Sequence, residues 1–315
     1  MLFRPLAPAT GGGATAAFVN AGNIQNTGVD MSATYHGAVD DFRFDITGTF
    51  TSYKNRVKSL PDGIKYYDKE SAGSNRIGAF SRIQPGYALG SFYGYKVAGI
   101  FQSTDDVNKS PTQEAAAPGR LKFEDVTGNG KIDADDRTFF GNPNPKFTAG
   151  LNLQASYKNF DFSAFFYASV GNDVINYVRY WTEFPQVFDG AISKEAVYNS
   201  WTPTRTNAKV PMLERGANFS NTTQFSSYFL EDGSFLRCKS MVLGYSIPSG
   251  KFKRLGIDRL RVYIQAANLF TVTKYSGLDP ELTGADFRDN TNFGIDLGNY
   301  PSNQKNYLVG VNLSF

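Results

Sequence analysis

The side chains with the clearest chemical potential lie in one run, Asp125-Val-Thr-Gly-Asn-Gly-Lys-Ile-Asp-Ala-Asp-Asp136. Asp125, Thr127, Asn129, Asp133 and Asp136 fall on positions 1, 3, 5, 9 and 12 of a calcium-binding loop, a spacing that wraps oxygen ligands around a hard cation. Gly130 stands at the sharp turn, where positive φ is needed, and Lys131 offers its backbone carbonyl. Thr127 and Asp136 depart from the usual residues, and no helix pattern leads into the run. The spacing predicts a structural Ca²⁺ that stiffens an exposed loop; a metal-free turn rich in Asp, Gly and Asn is the alternative.

A second set is aromatic. Tyr177, Tyr180, Trp181, Phe184, Phe188 and Trp201 crowd a stretch with Asp173 placed to cap a short helix through Trp181, and Ile192 to Trp201 placed to form another. Exposed rings there would stack on sugars or grip a partner; the plainer alternative is that they pack the loop on itself. The single histidine, His36, falls at a strand end on a polar face and reads as a solvated residue, and the single cysteine, Cys238, has no disulfide partner. No Ser/His/Asp arrangement, Cys/His cluster or phosphate-binding glycine loop is present, so the chain is not expected to be an enzyme.

The elements that must position these groups are strands. Val29, Met31, Ala33 and Tyr35 alternate with polar residues, Gly37 to Asp41 turn the chain, and Phe42, Phe44, Ile46, Gly48 and Phe50 alternate in reply. Phe147 to Tyr157 passes through Lys158-Asn159 into Phe160 to Val170. A third hairpin joins Leu236–Ile247 to Leu260–Ala266, but its first strand has two phases: Leu236, Cys238, Ser240, Val242 and Gly244, or Leu243, Tyr245 and Ile247. The final strand sets Tyr307, Val309, Val311, Leu313 and Phe315 on one face. Each span suits the roughly ten residues with which a tilted strand crosses a bilayer.

Link lengths order these strands. Those at 37–41, 158–159 and 248–257 are short, and those at 55–146, 171–233 and 271–305 are long. That alternation is the pattern of a transmembrane barrel with brief periplasmic turns and extended outer loops, and it makes the carboxy terminus periplasmic. Residues 88–101 look like a further span, yet one span there would invert the order. They belong either to a pair with a strand in 75–84 or to a folded extracellular insertion over 58–146, the preferred assignment; residues 171–233 form a second long outer loop.

Composition agrees. Aromatics make up 15% of 315 residues, more than a soluble core of this size needs. The formal charge of +3, with no basic run, gives no reason to expect nucleic acid. No stretch has eighteen consecutive apolar residues, so a helical span is excluded while a barrel is not. Met1-Leu2-Phe3-Arg4-Pro5 lacks the form of a secretory signal and resembles the end of a strand, so the chain is expected to be the carboxy-terminal piece of something longer.

Several blocks resemble one family. GNIQNTGVD (22–30) resembles a strand opening of TonB-dependent outer-membrane receptors. LGSFYGYKVAGIFQ (89–102), LKFEDVTGNGKIDADDRTFFGNPNPKFTAGLN (121–152), LEDGSFLRCKSMVLGYSIP (230–248) and RVYIQAANLFTVTKYSGLDPE (261–281) resemble its SusC/RagA branch, and the 125–136 run is itself more similar to dockerin loops than to EF-hands. The resemblance implies an all-β, antiparallel transmembrane barrel of about 22 strands, of which this chain would be roughly the last eight without the plug. It implies import of glycans or oligopeptides with a SusD-like surface lipoprotein, driven by TonB through the plug, in the lipid bilayer of the outer membrane. Gly310, Leu313 and Phe315 match the family's terminal signal for the barrel assembly machinery, with Leu308 where a polar residue is usual. The alternatives are a TonB-dependent receptor for metal chelates or cobalamin, and a secreted soluble calcium-dependent glycan-binding β-domain. Alone, a part-barrel would leave open backbone groups costing several kcal/mol each, so it is not expected to insert as a stable monomer.

Overall fold

The computed structural model describes residues 2–3, 19–20, 22–69, 76–188, 190–248, 256–282, 293–298 and 303–314. Seven long strands form one antiparallel sheet whose spatial order is the chain order: β1 (Asn23–Val39), β2 (Phe42–Ser59), β3 (Phe147–Tyr157), β4 (Phe160–Val170), β5 (Phe235–Ile247), β6 (Arg259–Ala267) and β7 (Asn306–Ser314). A short strand at Thr271–Thr273 continues along the far end of β5. No helix among the described residues is long and apolar enough to cross a membrane.

Register aligns the apolar residues into rows across the whole sheet. One row runs Tyr35, Ile46, Leu153, Ala164, Met241, Ala266, Tyr307. The neighbouring row on the opposite face runs Thr34, Thr47, Asn152, Phe165, Ser240, Ala267, Asn306. Large apolar side chains stand open on this first face on every strand, from Tyr35 and Ile46 to Val309, which is 80% exposed, with small Ala164 buried between them. An apolar face of this extent, left uncovered by the chain, is what a lipid-facing barrel wall presents.

Two details differ from the sequence expectations. The first turn is shorter than Gly37–Asp41, because the ladder continues through Val39 paired with Phe42 and only Asp40 takes a left-handed φ of 51°. The two phases of β5 are both real. Phe165 pairs with Ser240 but Phe166 with Cys238, which leaves Lys239 as a bulge. One extra residue flips parity, so Leu236 and Cys238 share the apolar face with Met241, Leu243 and Tyr245.

Close backbone approach dictates glycine at two places on the polar face. A Cβ at Gly310 would lie 2.2 Å from the Tyr263 ring, and one at Gly244 would lie 2.5 Å from an Arg261 guanidinium nitrogen. Arg261 crosses β5 over Gly244 to donate twice to Asp161, at 2.9 and 2.5 Å. On the same face His36 and Asp45 meet at 2.5 Å, mostly exposed.

The long links fold together beside the sheet. Residues 60–146 supply strands Tyr67–Lys69, Ser81–Ile83, Phe92–Tyr95 and Arg137–Gly141 in one small sheet, with Val97–Ile100 and Leu121–Phe123 in another. The 88–101 stretch thus pairs with a strand in 75–84, through Ser81 and Phe92, but as short buried strands inside the insertion. Asp173–Asn176 pairs antiparallel with Leu230–Asp232 and parallel with Ile295–Asp296. Phe80, Phe92, Tyr95, Tyr177, Tyr180, Phe184, Phe225, Phe229 and Ile295 form a single core drawn from all three long links.

Candidate functional site

The helix Val178–Glu183 leaves the strand Asp173–Asn176 and sets Arg179 and Glu183 one turn apart. Arg179 Nε donates to Glu183 Oε1 at 2.9 Å, its Nη1 donates to the Tyr228 carbonyl at 2.7 Å, and the same nitrogen lies 3.9 Å from Glu231 Oε1. Burial works against the Arg179 charge, but Tyr228, Glu183 and Glu231 together hold its pKa above the usual guanidinium range. Tyr228 donates its hydroxyl to Glu183 Oε2 at 2.5 Å.

Beside this helix lies a cavity of about 710 Å³, lined by Asn176, Arg179, Glu183, Glu231, Leu278 and Asp296 among others. Glu231 accepts from Asn176 Nδ2 at 3.0 Å and from the Ser276 amide and hydroxyl, each at 2.8 Å. Asp296 accepts from the Tyr275 hydroxyl at 2.5 Å and the Gly298 amide at 2.8 Å. Burial first, then the Asp296 carboxylate, pushes the Tyr275 phenol far up. The residues come from two separate links, 171–233 and 271–305, and no local spacing in the sequence announces the set.

The 125–136 loop is closed by its own hydrogen bonds. Asp125 accepts from the amides of Gly128 and Gly130 at 2.7 and 2.8 Å, and from Asn129 at 3.2 Å. Buried Asp136 accepts from the Thr127 amide and hydroxyl on one oxygen and from the Asp133 amide on the other. The Asn129 side chain accepts from the Lys131 amide, and the Lys131 ammonium sits 2.8 Å from Asp133. Among the described residues no three His, Cys, Asp or Glu side chains converge tightly enough to hold a metal ion. In this arrangement the Asp125 and Asp136 carboxylates accept hydrogen bonds from the loop's own amides.

No protein-family profile matches the chain. It is 34% identical over 309 residues to TonB-dependent receptor P3 of Formosa agariphila, covering 96% of the chain and 30% of that protein. To TonB-dependent receptor SusC of Bacteroides thetaiotaomicron it is 30% identical, covering 94% of the chain and 27% of the relative. A solved structure of the RagAB peptide transporter superposes on all of the chain with a TM-score of 0.75 and 29% identity, over 32% of that protein. The chain belongs to the SusC/RagA-type TonB-dependent receptors. It spans about 30% of the length of the curated relatives it matches.

The sheet of this receptor chain is a section of a transmembrane barrel, as the family's architecture implies. Membership in an outer-membrane receptor family displaces the soluble-domain alternative. In the aromatic set of the receptor the packing alternative holds for four rings: Tyr177 and Tyr180 are buried, stacked on each other at 5.0 Å, and Trp181 and Trp201 pack half-buried against the same core. Burial pushes the Tyr180 phenol up to about 12. These buried and half-buried rings hold the loop together because the core of the three links needs their area, while Phe188 of the same set is 54% exposed. Asp173 does not cap the helix. The strand runs on through Asn176, Tyr177 takes the capping position, and the Asp173 carboxylate accepts from the Asn142 amide at 2.8 Å. The second helix is Lys194–Asn199, capped by Ser193. Of the terminal signal, Gly310 and Leu313 lie on β7, while Phe315 falls outside the described residues.

Proposed function

We propose that this receptor chain serves TonB-dependent import of oligopeptides or glycans across the outer membrane, together with a SusD-like surface lipoprotein. The observation that carries this function is the match of the whole chain, wall and folded links together, to RagAB structures described as a peptide transporter and a peptide importer. In this scheme the 58–146 insertion and the 171–233 loop lie outside the cell and shape cargo entry. The two-residue turns and the end of β7 lie in the periplasm, and Gly310, Leu313 and Phe315 address the barrel assembly machinery. Energy enters from TonB through the plug, and cargo crosses without covalent change. Import is favoured over metal-chelate or cobalamin uptake because the resemblance is to SusC and RagAB along nearly the entire chain.

The test is uptake in the native host. Deleting the gene is expected to abolish uptake of one class of labelled oligopeptide or oligosaccharide, with rescue by the gene in trans and no rescue in a host lacking TonB. Uptake of every such cargo unchanged by the deletion overturns the proposal.

A further inference from the structure

We propose that the cavity walled by the helix Val178–Glu183, the strand Ile295–Asp296 and the loop Ser276–Leu278 receives an amine or guanidinium group of a peptide cargo, drawn in by Glu231 and Asp296. The inference deepens the import function and rests on it for the identity of the cargo.

Charge is the first ground. Glu231 is 15% exposed and Asp296 7% exposed, so both carboxylates are largely withdrawn from water. Among the described lining residues their cationic neighbour is Arg179, and it is committed to Glu183 at 2.9 Å while standing 3.9 Å from Glu231. Glu195 and Lys209 also line the cavity, both exposed and of opposite charge. The remaining contacts to Glu231 and Asp296 come from neutral donors. A withdrawn carboxylate without a full counter-charge is costly, and a cation entering the cavity removes that cost.

An independent ground is Asn176. It lines the cavity, is 3% exposed, and its Oδ1 has no hydrogen-bond partner although its amide nitrogen has two. A buried acceptor left open calls for a donor. An ammonium brings three donors and a guanidinium five, with no acceptor to clash with the carboxylates. Leu278 supplies the third element. It stands at the cavity 83% exposed, on a loop pinned by the Ser276 to Glu231 bonds. An exposed leucine held there suits the aliphatic stem of a lysine or arginine. A metal ion is the weaker occupant, since no three chelating side chains converge among the described residues.

The experiment uses the full-length receptor, purified from outer membranes, and two octapeptides that differ only by lysine or norleucine at one central position. Calorimetric titration is expected to show the lysine peptide binding at least about tenfold more tightly. Glu231→Gln and Asp296→Asn are each expected to remove that preference and, without peptide, to raise the melting temperature. Thr182→Lys, which sets an ammonium into the cavity, is expected to abolish the preference as well and decides the matter should the other variants fail to assemble. Equal affinities for the two peptides, a preference that survives these substitutions, or neutral oligosaccharides that displace the lysine peptide and bind Glu231→Gln unchanged, overturn the proposal. Loss of cellular uptake for both peptides, with the lysine preference intact in the titration, sustains the cavity's charge recognition and overturns the import function instead.

Discussion

Arg237 Nη2 donates to Asp279 Oδ1 at 2.6 Å, tying the wall strand β5 to the loop that carries Leu278. Arg237 Nη1 also donates to Glu281 at 2.7 Å, and Lys239, the bulge residue, reaches the same Glu281. The bulge therefore has a second consequence beside its parity change, since it aims a cation at the loop anchor.

Removing one partner of a buried charge pair strands the other, at about 3 kcal/mol or more. Arg237→Met is accordingly expected to release the 274–282 loop. Limited proteolysis of the receptor in membranes should show new cleavage there, while the barrel keeps its heat-modifiable mobility. Unchanged protection would show that the anchor is dispensable.

Gly310 has no room for a methyl group under the Tyr263 ring. Gly310→Val is expected to lower the fraction of heat-modifiable, folded receptor severalfold, and Tyr263→Ala in the same chain to restore most of it. Full assembly of Gly310→Val alone would contradict the contact.

Calcium is expected to leave the receptor's stability unchanged, because the 125–136 carboxylates are satisfied by backbone amides. Melting curves in EGTA and in millimolar CaCl₂ should coincide. A rise of several degrees with calcium would mean that the loop reorganises into the cage its spacing suggests.

Asp106 should give the folded links an acid limb. Hydrogen bonding from Lys122, then from the Gln102 amide, holds its carboxyl below the ordinary aspartate value near 4. Its contribution is present above the unfolded value and is lost as pH falls through the lower folded one. Lys122→Met should shrink the loss of stability below about pH 4, read from the fluorescence of Trp181 and Trp201. An acid limb identical in both proteins would remove Asp106 from the account.

The barrel wall was legible in the chain because lipid and polar surroundings alternate along every strand, so that Val29 to Tyr35 or Tyr307 to Leu313 state their own face. Parity of link lengths supplied the order of strands, since consecutive strands of a meander pair with one another. The β5 phase was not legible, because one residue at Lys239 reverses it and only the pairing of Phe165 with Ser240 and Phe166 with Cys238 shows where. The folded links were the least legible part. Tyr177 and Tyr180 look like ligand-facing rings in isolation, and they turn inward because Phe80, Phe225 and Ile295 from other links complete a core around them. The cavity followed the same rule. Sequence determined a short helix through Trp181, which takes in Arg179; the structure extends it to Glu183, and only the tertiary fold brought Glu231 and Asp296 to them, because a core shared by distant segments places side chains that no local spacing relates.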